Sequence, residues 1–144
     1  RFQNFARLFF WEYAERLCSL GAYRRQPLGF SRSGTCRPIG KEALDKDKIV
    51  GAICNGASFL CSHGFLNHVK HTGNGIDQLK KWGGTSYINA ENYVEAQAIS
   101  NKNIVTANGV GHLEFTREML LLLGADNPEQ IDKWYDFYKN GCVR

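Results

Sequence analysis

Lys48-Ile49-Val50-Gly51-Ala52-Ile53-Cys54-Asn55-Gly56-Ala57-Ser58 is an apolar, β-branched run that ends on a thiol and passes at once into helix-compatible residues. A buried strand that turns sharply into a helix exposes one side chain at the carboxyl edge of its sheet. Small neighbours such as Ala52, Gly56 and Ala57 let the backbone make that turn. The thiol of Cys54 then faces the positive end of the helix dipole, where unpaired N–H groups favour thiolate, the reactive form. Most free cysteines are small buried hydrophobes. The strand, elbow and helix around Cys54 single it out as a nucleophile.

The 144 residues fit one domain, spanning 1–144, with apolar content sufficient for a single core. No apolar run approaches the length of a membrane span or a signal-peptide core, so the expectation is a cytoplasmic protein without membrane association. Its five cysteines, Cys18, Cys36, Cys54, Cys61 and Cys142, are odd in number and lack CxxC spacing. That argues against a disulfide framework and a structural zinc site, and reduced thiols suit the cytoplasm.

The net charge of +4 is unevenly spread. Residues 1–40 hold seven Arg, no Lys and two acids, a balance of +5; residues 41–144 hold nine Lys, two Arg and twelve acids, a balance of −1. The arginines are scattered without a recognition motif, and Ser31 to Pro38 reads as loop, so nucleic-acid binding is not expected.

Phe5, Leu8, Phe9, Tyr13, Leu17 and Leu20 recur at three- and four-residue steps, predicting an amphipathic helix capped by Asn4 and ended by Gly21. Glu42 to Asp47 read as a short helix end leading into a strand at Ile49–Ile53, whose unalternating composition suits a parallel strand covered on both faces. A helix follows from Ala57 to His63, stopped by Gly64. Val69–Thr72 reads as a short strand, and a helical turn surrounds Ile76, Leu79 and Lys80. Tyr93–Ile99, a turn at Ser100–Asn103 and a strand at Ile104–Ala107 suggest a hairpin or sheet extension. Leu113 to Leu123 is an apolar helix closed by Gly124. Asn127-Pro128-Glu129-Gln130 opens a last helix with a cap and an N1 proline. Strands alternating with helices imply an α/β sheet with helices on both faces and a site at the carboxyl ends of strands.

Three segments together resemble the ThiJ/PfpI superfamily of class I glutamine amidotransferase-like proteins: Ile49 to Gly56; Val69-Lys70-His71-Thr72-Gly73-Asn74; and Asn103 to Gly109 with Leu113-Glu114-Phe115. The closing Pro128-Glu129 and Trp134 to Tyr138 resemble the C-terminal helix of its bacterial type 1 branch. The resemblance covers about residues 41–144. It implies a flavodoxin-like three-layer α/β/α sandwich with a mostly parallel sheet, shortened or rearranged at its N-terminus, commonly homodimeric and acting through an elbow cysteine on a small-molecule substrate. Two family features depart here. The Gly-Gly turn after a middle strand is not found. The acidic partner of the cysteine is matched by Glu12 within Phe10 to Ala14, but only 42 positions before Cys54, several dozen fewer than the family has.

The resemblance places His71 near the cysteine, where it would orient or deprotonate the thiol. His63, His68 and His71 cluster in sequence, but no carboxylate or thiolate at ligand spacing accompanies them, and neither a metal nor a cofactor is expected. His112-Leu113-Glu114 imitates an amidotransferase triad end, while Glu114 at a helix start reads as a dipole partner. Two functions follow. In one, Cys54 attacks a carbonyl, His71 handles the proton, and the N–H groups at Asn55 and Gly56 hold the oxyanion, as in a hydrolase or deglycase-like enzyme. In the other, a catalytically weak or inactive member acts as a redox-responsive or interaction protein through oxidation of Cys54.

Overall fold

A computed structural model describes residues 36–141, with side chains from Gly40 onward. Helix α1 (Cys36–Asp45) leads into strand β1 (Val50–Ile53), which gives way to helix α2 (Asn55–Ser62). Helix α3 (Ile76–Gly83) and two short 3₁₀ turns precede the hairpin of β2 (Ala98–Asn101) and β3 (Ile104–Ala107). Helices α4 (His112–Leu123) and α5 (Pro128–Asn140) close the described chain. The predicted helix over residues 5–20 lies outside the described residues.

The sheet runs β1-β3-β2, with β1 parallel to β3 and β2 antiparallel to it. Val50 pairs with Ile104 and Ala52 with Thr106 on one face; Gly51 pairs with Val105 and Ile53 with Ala107 on the other. Successive side chains point to opposite faces, so one short strand serves two layers. Val50, Ala52 and Ile104 join Phe59, Leu60, Leu66 and Leu79 in the core beneath α2 and α3. Leu60, Leu66 and Leu79 are fully buried, each contributing about 1.5–3 kcal/mol of transfer free energy. On the opposite face, Gly51 lets α4 approach, because a Cβ there would stand 2.7 Å from Phe115 Cζ. The chain is therefore an α/β/α sandwich with a flavodoxin-like arrangement, β1 covered on both sides as its unbroken apolar run implied.

Local signals explain the element ends. Gly64 takes φ 75° just beyond α2, and Gly124 closes α4 in the left-handed conformation. Asn127 caps α5, its side chain accepting from the Gln130 N–H at 2.9 Å, with Pro128 at the first helical position. α5 is pinned to α4 by Arg117 on Asp132 at 2.7 Å and by Tyr135 donating to Glu114 at 2.8 Å, with Lys139 on the same carboxylate.

Three expectations change. Cys36 to Pro38, the end of the stretch that reads as loop, belong instead to the helix whose last residues the sequence places at Glu42 to Asp47. Ser100 and Asn101 belong to β2, so the hairpin turns on Lys102 and Asn103 alone, Lys102 taking φ 51°. Val69–Thr72 is not a strand: it makes one parallel bridge, His71 to Tyr93. The Thr72 N–H points to the opposite edge and donates to the Thr106 side-chain oxygen at 2.8 Å.

Candidate functional site

β1 delivers Cys54 to the carboxyl edge of the sheet, where its N–H still donates to Ala107 O at 3.0 Å. The chain then reverses within one residue. Cys54 adopts φ 57° and ψ −119°, a conformation costly for a residue bearing a Cβ, and caps α2 through its backbone with no side-chain hydrogen bond to the helix. Its sulfur is half-buried, and the first-turn N–H groups of Asn55 and Gly56 have no acceptor within the helix.

Two loops converge on the sulfur. Asn74 Nδ2 donates to Cys54 Sγ at 3.3 Å, and Asn74 Oδ1 accepts the Gly109 N–H at 2.8 Å. Gly109 is close enough that a Cβ built on it would lie 3.2 Å from Cys54 Sγ. Thr72 anchors the first loop, donating its N–H to the Thr106 hydroxyl oxygen and its own hydroxyl to Ala96 O, each at 2.8 Å. Asn108 shapes the second, donating its N–H to Gln97 O and accepting the Val110 N–H on Oδ1. Val110 consequently stands 73 % exposed beside the site. Both loops were in view as Thr72-Gly73-Asn74 and Asn108-Gly109, but the roles of Asn74 and Gly109 depend on contacts 20 and 35 residues apart.

His71 is not brought to the sulfur. It is fully buried, Nδ1 lies 2.9 Å from Val69 O, Nε2 lies 2.7 Å from the Tyr87 hydroxyl, and its ring meets Tyr87 and Tyr93 edge-on. A carbonyl can only accept, so Nδ1 carries the hydrogen and Nε2 accepts from Tyr87. Burial holds its pKa below the ordinary value, with the Val69 hydrogen bond opposing. Both nitrogens thus have partners other than the Cys54 sulfur. Glu12 lies outside the described residues. His63 leans on Phe59 O at the end of α2, and His68 is exposed. Glu114 holds α5 to α4 through Tyr135 and Lys139; burial works against its charge, while the hydrogen bonds from Lys139 and Tyr135 keep it below the usual carboxylate range. Cys61, on the same helix as Cys54, is fully buried against Leu79 O and is pushed up to about 12 by that burial.

A strand-to-helix elbow with a cysteine at its turn agrees with the match of residues 28–122 to the DJ-1/PfpI family. The chain belongs to this family. It is 39 % identical over 103 residues to the uncharacterized protease YdeA of Bacillus subtilis, covering 68 % of this chain and 51 % of that protein. Among solved structures it resembles a thiJ/pfpI family protein from Bacillus anthracis, with a TM-score of 0.73, 29 % identity, and 77 % of this chain and 52 % of the other covered. A DJ-1 superfamily protein from Agrobacterium tumefaciens gives 0.65 at 32 % identity over 74 % of this chain and 56 % of the other. The chain spans about half the length of the curated relatives it matches. The family membership and the sandwich both agree with the resemblance seen in the sequence.

Proposed function

We propose that this family member is a cysteine-dependent hydrolase or deglycase-like protein acting on small acyl or carbonyl compounds, with Cys54 as its nucleophile. The observation that carries this reading is the backbone of Cys54. A non-glycine residue held at positive φ at the mouth of a helix is costly, and such cost persists mainly where function uses it. In the reaction, the thiol proton passes to solvent and the thiolate forms an S–C bond to the carbonyl. The carbonyl π pair moves to oxygen, where the Asn55 and Gly56 N–H groups would stabilise it. With an acyl substrate, collapse expels the leaving group, which takes a proton from water, and a second water cleaves the thioester to regenerate the thiol. The protein names carried by its Bacillus subtilis relatives are compatible with acyl transfer. The same reading has it work as a homodimer in the reducing cytoplasm, consistent with Cys54 and Cys61 being free thiols.

A second reading is favoured by one feature. Among the described residues the hydrogen bond to Cys54 Sγ comes from an amide, and no imidazole or carboxylate serves it as a base. That suits a sensor. Hydrogen peroxide would supply the oxygen: sulfur attacks it, the O–O bond breaks, hydroxide leaves as water, and a second equivalent gives the sulfinic acid.

Turnover of p-nitrophenyl acetate by the full chain, compared with Cys54→Ser, separates the two. The hydrolase reading expects wild-type turnover that falls to background in Cys54→Ser. Undiminished turnover in the variant would refute it. No turnover in wild type, with Cys54 converted to sulfinate at low peroxide, would establish the sensor instead.

A further inference from the structure

We infer that Asn74 is a positioning residue for Cys54: its amide presents a fixed N–H to the sulfur and, through Gly109, ties the sulfur's surroundings to the loop after β3. The inference rests on reading Cys54 as the reacting group, and adds a residue to which sequence analysis assigned no role. The orientation of the amide follows from its other contact. Oδ1 accepts the Gly109 backbone N–H at 2.8 Å, and a backbone N–H can only donate, so the amide oxygen must face Gly109. The NH₂ end is thereby committed to Cys54 Sγ at 3.3 Å. Nδ2 has no lone pair to accept an S–H. The contact gains most when the sulfur is an anion, because hydrogen bonds to charged acceptors are about twice as strong as those between neutral groups.

The placement is built from several directions. Gly73 and Gly75 flank Asn74, and Gly75 takes φ 134°, a value open to glycine at little cost. Two residues before Asn74, Thr72 is tied to β3 through Thr106 and to the segment before β2 through Ala96 O. Gly109 leaves room for the sulfur, since a Cβ there would crowd both Cys54 Sγ at 3.2 Å and Asn74 Oδ1 at 3.4 Å. Asn74 is itself exposed, so a group approaching Cys54 from solvent passes the same amide.

A purely structural Asn74 would only tether the two loops. Asn74→Asp separates the roles, because a carboxylate keeps the acceptor for Gly109 N–H while replacing the donor at the sulfur by negative charge. Iodoacetamide alkylation of Cys54 in the full chain, followed by peptide mass spectrometry from pH 5 to 10, is the readout. The expected result is alkylation slowed about tenfold at neutral pH in Asn74→Asp, with its pH–rate profile displaced to higher pH and its urea midpoint close to wild type. Asn74→Ala, which loses donor and acceptor together, should slow alkylation as well, with a smaller displacement because it adds no charge. Wild-type rates and an undisplaced profile in Asn74→Asp would overturn the inference. If Asn74→Asp proves unfolded by circular dichroism, an unchanged profile in Asn74→Ala overturns it instead. The readout needs no turnover. Absent wild-type turnover with displaced alkylation profiles would sink the hydrolase reading alone, whereas turnover dependent on Cys54 with undisplaced profiles would sink this inference alone.

Discussion

His71 and Tyr87 form a buried pair in which the phenol donates to the imidazole Nε2 at 2.7 Å, while Val69 O holds the opposite nitrogen at 2.9 Å. The site favours a neutral imidazole, because burial penalises the charged ring; a proton on Nε2 would oblige the Tyr87 hydroxyl to turn and accept. Tyr87 itself stays a neutral hydroxyl, burial pushing it up to about 12.

A stability dependence on pH follows. In the unfolded chain His71 titrates near the ordinary value of 6.5, and in the folded chain below it. As pH falls below 6.5 the unfolded state takes up a proton that the folded state resists, so stability declines with acid through that window; above it neither state binds the proton and the contribution is constant. Urea unfolding of wild type and His71→Gln between pH 4.5 and 8 should show the acid-side slope reduced in the variant. Parallel slopes would show that His71 does not carry the effect.

Much of the scaffold was legible because its signals are local. The Ile49–Ile53 run, Gly64, Gly124 and the Asn127-Pro128 start each act within a few residues of the element they shape, and each stands where expected. The elbow at Cys54 was legible for the same reason. Its neighbours were not. Asn74 meets Cys54 through a contact spanning 20 residues, and what occupies His71 is a tyrosine 16 residues away, so no spacing rule reports either. Val69–Thr72 carries strand-like residues, yet its pairing amounts to one bridge, His71 to Tyr93. Composition gives no warning that pairing goes no further.

Two glycines should differ sharply in what a methyl group costs. At Gly51 a Cβ would meet Phe115 Cζ at 2.7 Å and Met119 Sδ at 2.9 Å, both far ends of flexible side chains on α4. Small shifts can absorb it, and overpacking of this kind costs about 1–3 kcal/mol. At Gly111 a Cβ would stand 2.3 Å from Gln97 O and 2.9 Å from Gln97 C, which are backbone atoms that also receive the Asn108 N–H. Relief there must move the chain entering β2 or the loop beside Cys54. Urea midpoints should therefore place Gly111→Ala below Gly51→Ala, with the reverse order refuting the close approach at residue 97.

The strain at Cys54 can be measured without reference to its chemistry. At φ 57° and ψ −119° a Cβ is unwelcome, whatever it carries, and such residues cost of order 1–3 kcal/mol. Cys54→Ala keeps the Cβ and the strain; Cys54→Gly removes both, although glycine gives back about 0.4–1 kcal/mol through the greater freedom of the unfolded chain. Neither variant has a thiol, so sulfur contacts cancel in the comparison. Cys54→Gly is expected to be the more stable of the two by about 1 kcal/mol in urea unfolding. Equal stability, or an advantage for alanine, would mean that the elbow holds Cys54 without strain and would remove the observation on which its reading as a nucleophile chiefly stands.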